Sequence, residues 1–131
     1  MLIWKKKQIA IVNTDTFRTK TGKSRIAPMN ETVYSILSNR SQSNEYVFTK
    51  ENGYRFNNNH ISHYFKKIVR RVGLNDKYHV HTLRHSFASW LVQKDIPIFT
   101  VQNLLGHSSV NTTLIYSHLS TSALHSAVNV L

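Results

Sequence analysis

Two histidines, an arginine and a late tyrosine stand at fixed spacings in the last third of the chain: His81-Thr82-Leu83-Arg84-His85, then Leu105-Gly106-His107, then Tyr116. Their side chains suit phosphodiester chemistry without a metal. A guanidinium neutralises a phosphate, imidazoles exchange protons with it, and a phenolic hydroxyl can attack phosphorus as a nucleophile. His81 and Arg84 are about one helical turn apart, so both can reach a common phosphate, whereas His85 lies one turn beyond His81 and turns away from Arg84. The histidine pair completed by His107 has the outline of a metal site, yet a guanidinium beside it would repel a divalent cation and no carboxylate is near in sequence, so no metal is expected. Taken singly, His107 behind a glycine suits a cap as well as a cleft, and Tyr116 beside aliphatic residues suits a core. The conjunction carries the argument.

Helices must position these residues. His79 to Gln93 reads as one, with Thr82 near its start and Leu83, Phe87, Trp90 and Leu91 as its buried stripe. Pro97 opens the next, which runs through Val101, Leu104 and Leu105 and stops at Gly106. Asn111 is expected to cap a short helix holding Leu114, Ile115 and Tyr116. The tail, Leu119, Leu124, Val128 and Leu131, has helical spacing and needs something to pack on, either its own domain or a neighbouring copy.

Upstream, Ile61, Tyr64, Phe65, Ile68, Val69 and Val72 recur with helical period from Asn58 or Asn59 to near Gly73, and the opposite face carries Lys66, Lys67, Arg70 and Arg71. Asn30 and Glu31 start a shorter helix with Val33, Tyr34, Ile36 and Leu37 as its stripe. Gln8 to Asn13 and Ser24 to Met29 read as neighbouring antiparallel strands, and Tyr46-Val47-Phe48 as a brief third. Between the first two lies a basic turn containing Arg18, Lys20, Lys23 and Arg25, which should project toward solvent or phosphate. The expected fold class is α+β, a mostly helical domain with a small antiparallel sheet of about three strands near the N-terminus.

At 131 residues the chain has the length of one domain. Lys and Arg number 17 against 6 Asp and Glu, a formal charge of +11 with a sequence pI near 10.2, which points to a polyanionic partner. Without cysteine there is no disulfide framework and no thiolate metal site. Apolar residues precede the basic run Lys5-Lys6-Lys7, the reverse of a secretory signal, and no apolar run approaches a membrane span. A soluble, cytoplasmic protein with no membrane contact is expected.

From Ile9 to Leu119 the chain resembles the tyrosine recombinase (phage integrase) family. His81-x-x-Arg84, Leu-Gly-His107 and Tyr116 look like that family's C-terminal signature, and so do the flanking Leu83-Arg84-His85-Ser86-Phe87-Ala88 and Asn111-Thr112-Thr113. The resemblance implies that Tyr116 attacks a DNA phosphodiester to form a 3′-phosphotyrosyl enzyme, with Arg84, His81 and His107 stabilising the transition state. Lys20 of the basic turn matches the lysine that protonates the departing 5′ oxygen, with Lys23 as the alternative. It implies no cofactor, double-stranded DNA as partner and self-association, as a tetramer on DNA for the intact protein. Phosphate contacts are expected from Arg18, Lys20, Lys23, Arg25, Lys66 and Lys67.

One departure qualifies this. Family members carry another catalytic arginine in a Gly-x-Arg-x-x-Glu-like motif roughly two dozen residues ahead of the hairpin lysine, and nothing before Lys20 fits it. Residues 1–131 are therefore expected to be a partial catalytic domain lacking that segment and the core-binding domain, and a poor or inactive recombinase alone. Losing one phosphate-binding donor costs about 3 kcal/mol of transition-state stabilisation. The competing readings are a DNA-binding module of the same fold without catalysis, a type IB topoisomerase, and a histidine-rich metal protein.

Overall fold

A computed structural model describes residues 2–15, 17–19, 22–40 and 46–120, in two units, Met1–Phe56 and Asn57–Leu131. In the first, β1 (Leu2–Ile3), β2 (Gln8–Ile11) and β3 (Arg25–Pro28) form an antiparallel sheet in the order β1-β2-β3. Ile9 sits opposite both Leu2 and Ala27, and Ala10 opposite Ile26. A 3-10 turn over Trp4–Lys6 reverses the chain between β1 and β2, closed by Lys7 at φ 48° with its N–H 3.0 Å from the Trp4 carbonyl. Pro28 falls at the end of an edge strand, where a missing N–H is tolerated. Helix α1 (Glu31–Ser38) begins where Asn30 Oδ1 accepts the Val33 N–H at 2.8 Å, and it buries Leu37. Ala10 of β2 and Met29, just past β3, are buried.

The third strand differs from expectation. Tyr46, Val47 and Phe48 are exposed and form no strand, and the chain beyond them pairs only through a Thr49–Arg55 bridge around a turn with Gly53 at φ 79°. A strand needs a partner for its backbone groups. The tight turn at Trp4–Lys7 delivers Leu2–Ile3 to the free edge of β2, so two residues of no periodicity supply the third strand.

The second unit is helical: α2 (Asn58–Arg71), α3 (Val80–Gln93), α4 (Ile98–Leu105) and α5 (Asn111–Leu114), then a 3-10 turn over Ser117–Leu119. Asn57 caps α2, and His79 caps α3 in a reciprocal box with Thr82, which occupies an exposed donor at each end. Pro97 precedes α4, and Gly106 at φ 69° ends it, its N–H bonded to the Gln102 carbonyl at 2.8 Å. The core joins Ala88 and Val92 of α3, Val101 and Leu105 of α4, and Tyr116, flanked by Leu91, Ile96, Ile98 and Leu119.

Two expectations need correction. Leu83, Phe87 and Trp90 are not buried: they are 58%, 45% and 67% exposed, and Leu91 is half-buried. Helix α4 packs instead on the Ala88–Val92 face, where the small alanine admits a neighbouring backbone. The stripe on α2 is similarly open at Ile61, Tyr64, Ile68 and Val72, with Val69 buried. Asn111 lies inside α5 rather than capping it; Val110 holds the cap position, Ser109 Oγ accepts the Asn111 N–H at 3.3 Å, and Tyr116 follows the helix. Leu124, Val128 and Leu131 lie outside the described residues. Among the described residues, no helix is long and apolar enough to cross a membrane.

Candidate active site

Consecutive residues of α3, Arg84 and His85, face groups delivered from later in the chain. Arg84 Nη2 donates to the carbonyl of Leu105, one of the carbonyls that the end of α4 leaves without a helical partner. The guanidinium is thereby fixed beside the Gly106 turn, with further N–H donors on the same planar group. The left-handed turn at Gly106 releases His107 from the helix. Its backbone N–H donates to the Gln102 carbonyl and its carbonyl accepts from Gln102 Nε2, both at 3.2 Å. The ring is held from the other side, with Nδ1 2.8 Å from Oγ1 of the wholly buried Thr113 of α5.

Tyr116 is 6% exposed, its ring embedded among Ala88, Val92, Val101 and Leu105. Its hydroxyl reaches His85 Nδ1 at 2.6 Å, with the two ring centroids 5.9 Å apart. Burial lowers the His107 pKa below the ordinary imidazole value, and the positive charge of Arg84 and the proximity of His85 lower it further. His107 is therefore a neutral imidazole at neutral pH. When the Thr113 hydroxyl donates to Nδ1, the ring proton sits on Nε2 as a hydrogen-bond donor for an anionic oxygen.

Arg84, His107 and Tyr116, singled out in the sequence, thus gather around one end of the helical core. His81 is exposed in the first turn of α3, three residues before Arg84, its ring edge-on to His79 at 6.2 Å. Lys20 lies outside the described residues, but Thr19 and Gly22 on either side of it in the sequence are held by Asn13. Asn13 Oδ1 accepts the Thr19 N–H at 2.8 Å, and Asn13 Nδ2 donates to the Gly22 carbonyl at 2.6 Å. Arg18 and Lys23 are exposed; Arg25 is half-buried on β3, its Nε enclosed without a hydrogen-bond partner among the described residues. On α2, Lys67 is exposed while Lys66 donates to the Asp76 carbonyl, and Arg70 bonds both Asp76 carboxylate oxygens, at 2.9 and 3.1 Å. That Arg70 hydrogen bond, above all, holds the Asp76 carboxyl below its usual range.

Sequence reasoning passed over two residues of the site, His85 and Thr113. Helical spacing alone turns His85 away from Arg84 and says nothing of a tyrosine 31 residues later. Thr113 was legible only as part of the Asn111-Thr112-Thr113 text. Among the described residues, no three His, Asp or Glu side chains are placed to hold a metal ion.

The architecture and the sequence both have known counterparts. A tyrosine recombinase of Thermosipho africanus is 35% identical over 114 residues, 86% of this chain and 40% of the relative. The crystal structure of XerA recombinase superposes with a TM-score of 0.72 at 29% identity, covering 98% of this chain and 47% of that one. XerH recombinase in a post-cleavage complex with a palindromic difH substrate gives a TM-score of 0.66 at 27% identity, over 93% of this chain and 36% of XerH. The chain thus spans less than half the length of these relatives. The family model of the phage integrase family matches residues 2–123. With that match across nearly its whole length, on a helical domain bearing a small three-stranded antiparallel sheet, this chain belongs to the phage integrase family.

Proposed function

We propose that the chain is a partial catalytic domain of a site-specific DNA recombinase that cuts and rejoins strands through a 3′-phosphotyrosyl intermediate. Tyr116 Oη attacks the scissile phosphorus in line, while Arg84, His107 and His81 stabilise the charge that gathers on the phosphate oxygens. Lys20 protonates the departing 5′ oxygen, with Lys23 as the alternative donor. The bond energy is kept in the phosphotyrosine, so a second strand can reseal the break with neither a metal nor a nucleotide cofactor. The observation that carries this reading is the position of the Tyr116 hydroxyl, 2.6 Å from His85 on the helix that presents Arg84, where charge from Arg84 reaches His107.

Double-stranded DNA is the partner, and the likeness to XerH bound to its DNA substrate supports that assignment. The net charge of +11 favours phosphate contacts that weaken steeply with salt. Arg18, Lys23 and Lys67 are the exposed candidates, with Lys20 and Arg25 beside them in the chain. Lys66 must exchange its bond to Asp76 for a phosphate. Strand exchange between duplexes needs several protomers, a tetramer for the whole protein at bacterial DNA. Residues 1–131 carry one of the family's two phosphate-binding arginines, so this sequence by itself is a slow or inactive catalyst.

The test is a denaturing gel with labelled, nicked duplex DNA. A covalent adduct that is slow or absent with the chain alone, forms when the arginine motif is supplied upstream, and is lost in Tyr116→Phe is the expected result. Salt-sensitive binding with no Tyr116-dependent adduct, even when the arginine motif is supplied upstream, would instead assign a DNA-binding module without catalysis.

A further inference from the structure

We propose that Thr113 is a positioning residue that locks His107 in the neutral tautomer with its proton on Nε2, as a donor for a phosphate oxygen. The purpose of that lock rests on the reading of the chain as a recombinase; the lock itself follows from buried hydrogen bonding. Thr113 is wholly buried, so its hydroxyl proton has no water to meet. Among the described residues the hydroxyl has one partner, His107 Nδ1 at 2.8 Å. If Nδ1 held the ring proton, the Thr113 oxygen would have to accept, and its own proton would be enclosed without an acceptor. An orphaned buried donor is costlier than an oxygen lone pair left unused. The hydroxyl therefore donates, Nδ1 accepts, and a neutral ring must carry its proton on Nε2. Burial, and after it the charge of Arg84, depress the His107 pKa and keep the ring in that neutral form.

The tautomer decides what the ring offers. With the proton on Nδ1, Nε2 would turn a lone pair toward an anion and repel it; with the proton on Nε2, the ring donates. Nε2 makes no hydrogen bond among the described residues, so that donor is available. The residue is gripped from two helices: Gln102 of α4 bonds the backbone N–H and carbonyl of His107, both at 3.2 Å, and Thr113 of α5 holds Nδ1. Thr113 also reaches the residue of the nucleophile, its carbonyl accepting the Tyr116 N–H at 3.0 Å. One buried residue thereby sets the register between the donor that meets the phosphate and the tyrosine that attacks it. A donor already aligned needs no reorganisation at the moment of reaction.

Two measurements decide the matter. The first needs neither DNA nor turnover: nitrogen NMR of the full chain labelled with 15N-histidine, with His107→Gln to assign the signal. His107 Nδ1 should resonate as an unprotonated, hydrogen-bonded acceptor and Nε2 as the protonated nitrogen, and Thr113→Val should shift the Nδ1 signal. A ring proton on Nδ1 overturns the lock, whatever the protein does with DNA. The second is the rate of Tyr116 adduct formation on saturating nicked duplex, with the arginine motif supplied upstream. Thr113→Val keeps the shape of the side chain and loses the hydroxyl. It should slow the adduct about 10-fold, the scale on which an orienting partner acts at a metal-bound histidine, with DNA affinity unchanged. Thr113→Ser keeps the hydroxyl and loses the methyl group, so it should unfold at a lower urea concentration than the unmodified protein yet retain its rate. The rate then follows the hydroxyl and not the stability, which a purely structural threonine would not do. Equal slowing in both variants, or an unmodified rate in Thr113→Val, overturns the positioning role. Failure of the unmodified protein to form any Tyr116-dependent adduct overturns the recombinase reading and the purpose of the lock with it, while the nitrogen spectrum still decides the tautomer.

Discussion

Thr113 and Tyr116 hold the candidate site from inside the helical unit, whereas Asn13, Lys7 and Arg18 work at or near the surface of the sheet unit. Thr113 is 0% exposed and fixes the His107 ring; Tyr116 is part of the core that also buries Val101 and Leu105. In the sheet unit, Lys7 clasps Glu31 through two hydrogen bonds although their side chains remain 43% and 80% exposed, and Asn13 ties the basic turn through backbone groups. The difference matches two kinds of work. Charge stabilisation in a transition state rewards donors that are already in place and cannot relax away. Contacts to a DNA backbone tolerate side chains that adjust, because they give register and affinity rather than chemistry.

The sharpest way to break this division is to remove one cation from each unit. Arg84→Ala should lower the rate of Tyr116 adduct formation by about 100- to 1000-fold, as the loss of a preorganised donor does elsewhere, with DNA binding reduced far less. Arg18→Ala should leave the chemical rate on bound DNA unchanged, weaken binding, and lower the salt slope of affinity by about 1. Gel quantification of adduct against binding at several salt concentrations reads both. An Arg18 variant that fails in chemistry rather than affinity would add Arg18 to Lys20 as a reacting group of that turn.

The next effect is on stability. Val101 is fully buried between α3 and α4, so Val101→Ala removes two methyl groups' worth of packing and leaves a cavity, costing about 2–3 kcal/mol in urea unfolding. Ile26 on β3 is 58% exposed, and Ile26→Ala should cost under about 0.5 kcal/mol. Comparable losses at both positions would mean that the sheet unit relies on burial as heavily as the helical unit.

What the sequence made legible follows the same line. Helices α2, α3 and α4 were readable because their signals are local: a 3.6-residue period, His79 with Thr82 at one start, Pro97 and Gly106 around α4. Arg84, His107 and Tyr116 were readable as a conjunction of types that one phosphate could need. The buried face of α3 was not, because periodicity finds the large apolar residues Leu83, Phe87 and Trp90 but not the partner, and α4 chose the face where Ala88 allows close approach. His85 was missed for a related reason: its role depends on a hydroxyl brought from beyond α5, a tertiary fact with no local trace. Strand β1 is too short for propensity to mark it and exists because a tight turn lays it on β2.

A smaller perturbation probes how the sheet unit holds its turn. Asn13 is half-buried and satisfies the Thr19 N–H and the Gly22 carbonyl together, while its own N–H lies 3.3 Å from Ser24 Oγ. Asn13→Ala removes the two side-chain bonds and should cost about 1–2 kcal/mol, because each backbone group then depends on water. Hydrogen exchange should quicken at the amide of Thr19 and stay unchanged at Val101 and Leu105. Spread of that exchange into α4 would show that the two units do not answer separately to local damage.

The smallest expected effect is a pH dependence confined to the helical unit. His107 has a folded pKa depressed by burial, by Arg84 and by His85, so below the ordinary imidazole value of about 6.5 the unfolded chain binds a proton that the folded site resists. The folded state is then at a disadvantage: stability is unaffected by this group above that value, declines as pH falls from there toward the depressed folded pKa, and levels off below it. His107→Gln should flatten that limb in urea titrations monitored at successive pH values, whatever its cost at neutral pH. Because the ring is partly solvated and Thr113 still holds Nδ1, the slope should be shallow. A limb that steepens in the opposite direction, with stability gained on acidification, would mean that the Thr113 contact and a nearby anion favour the imidazolium, and the neutral donor assigned to His107 would have to be given up.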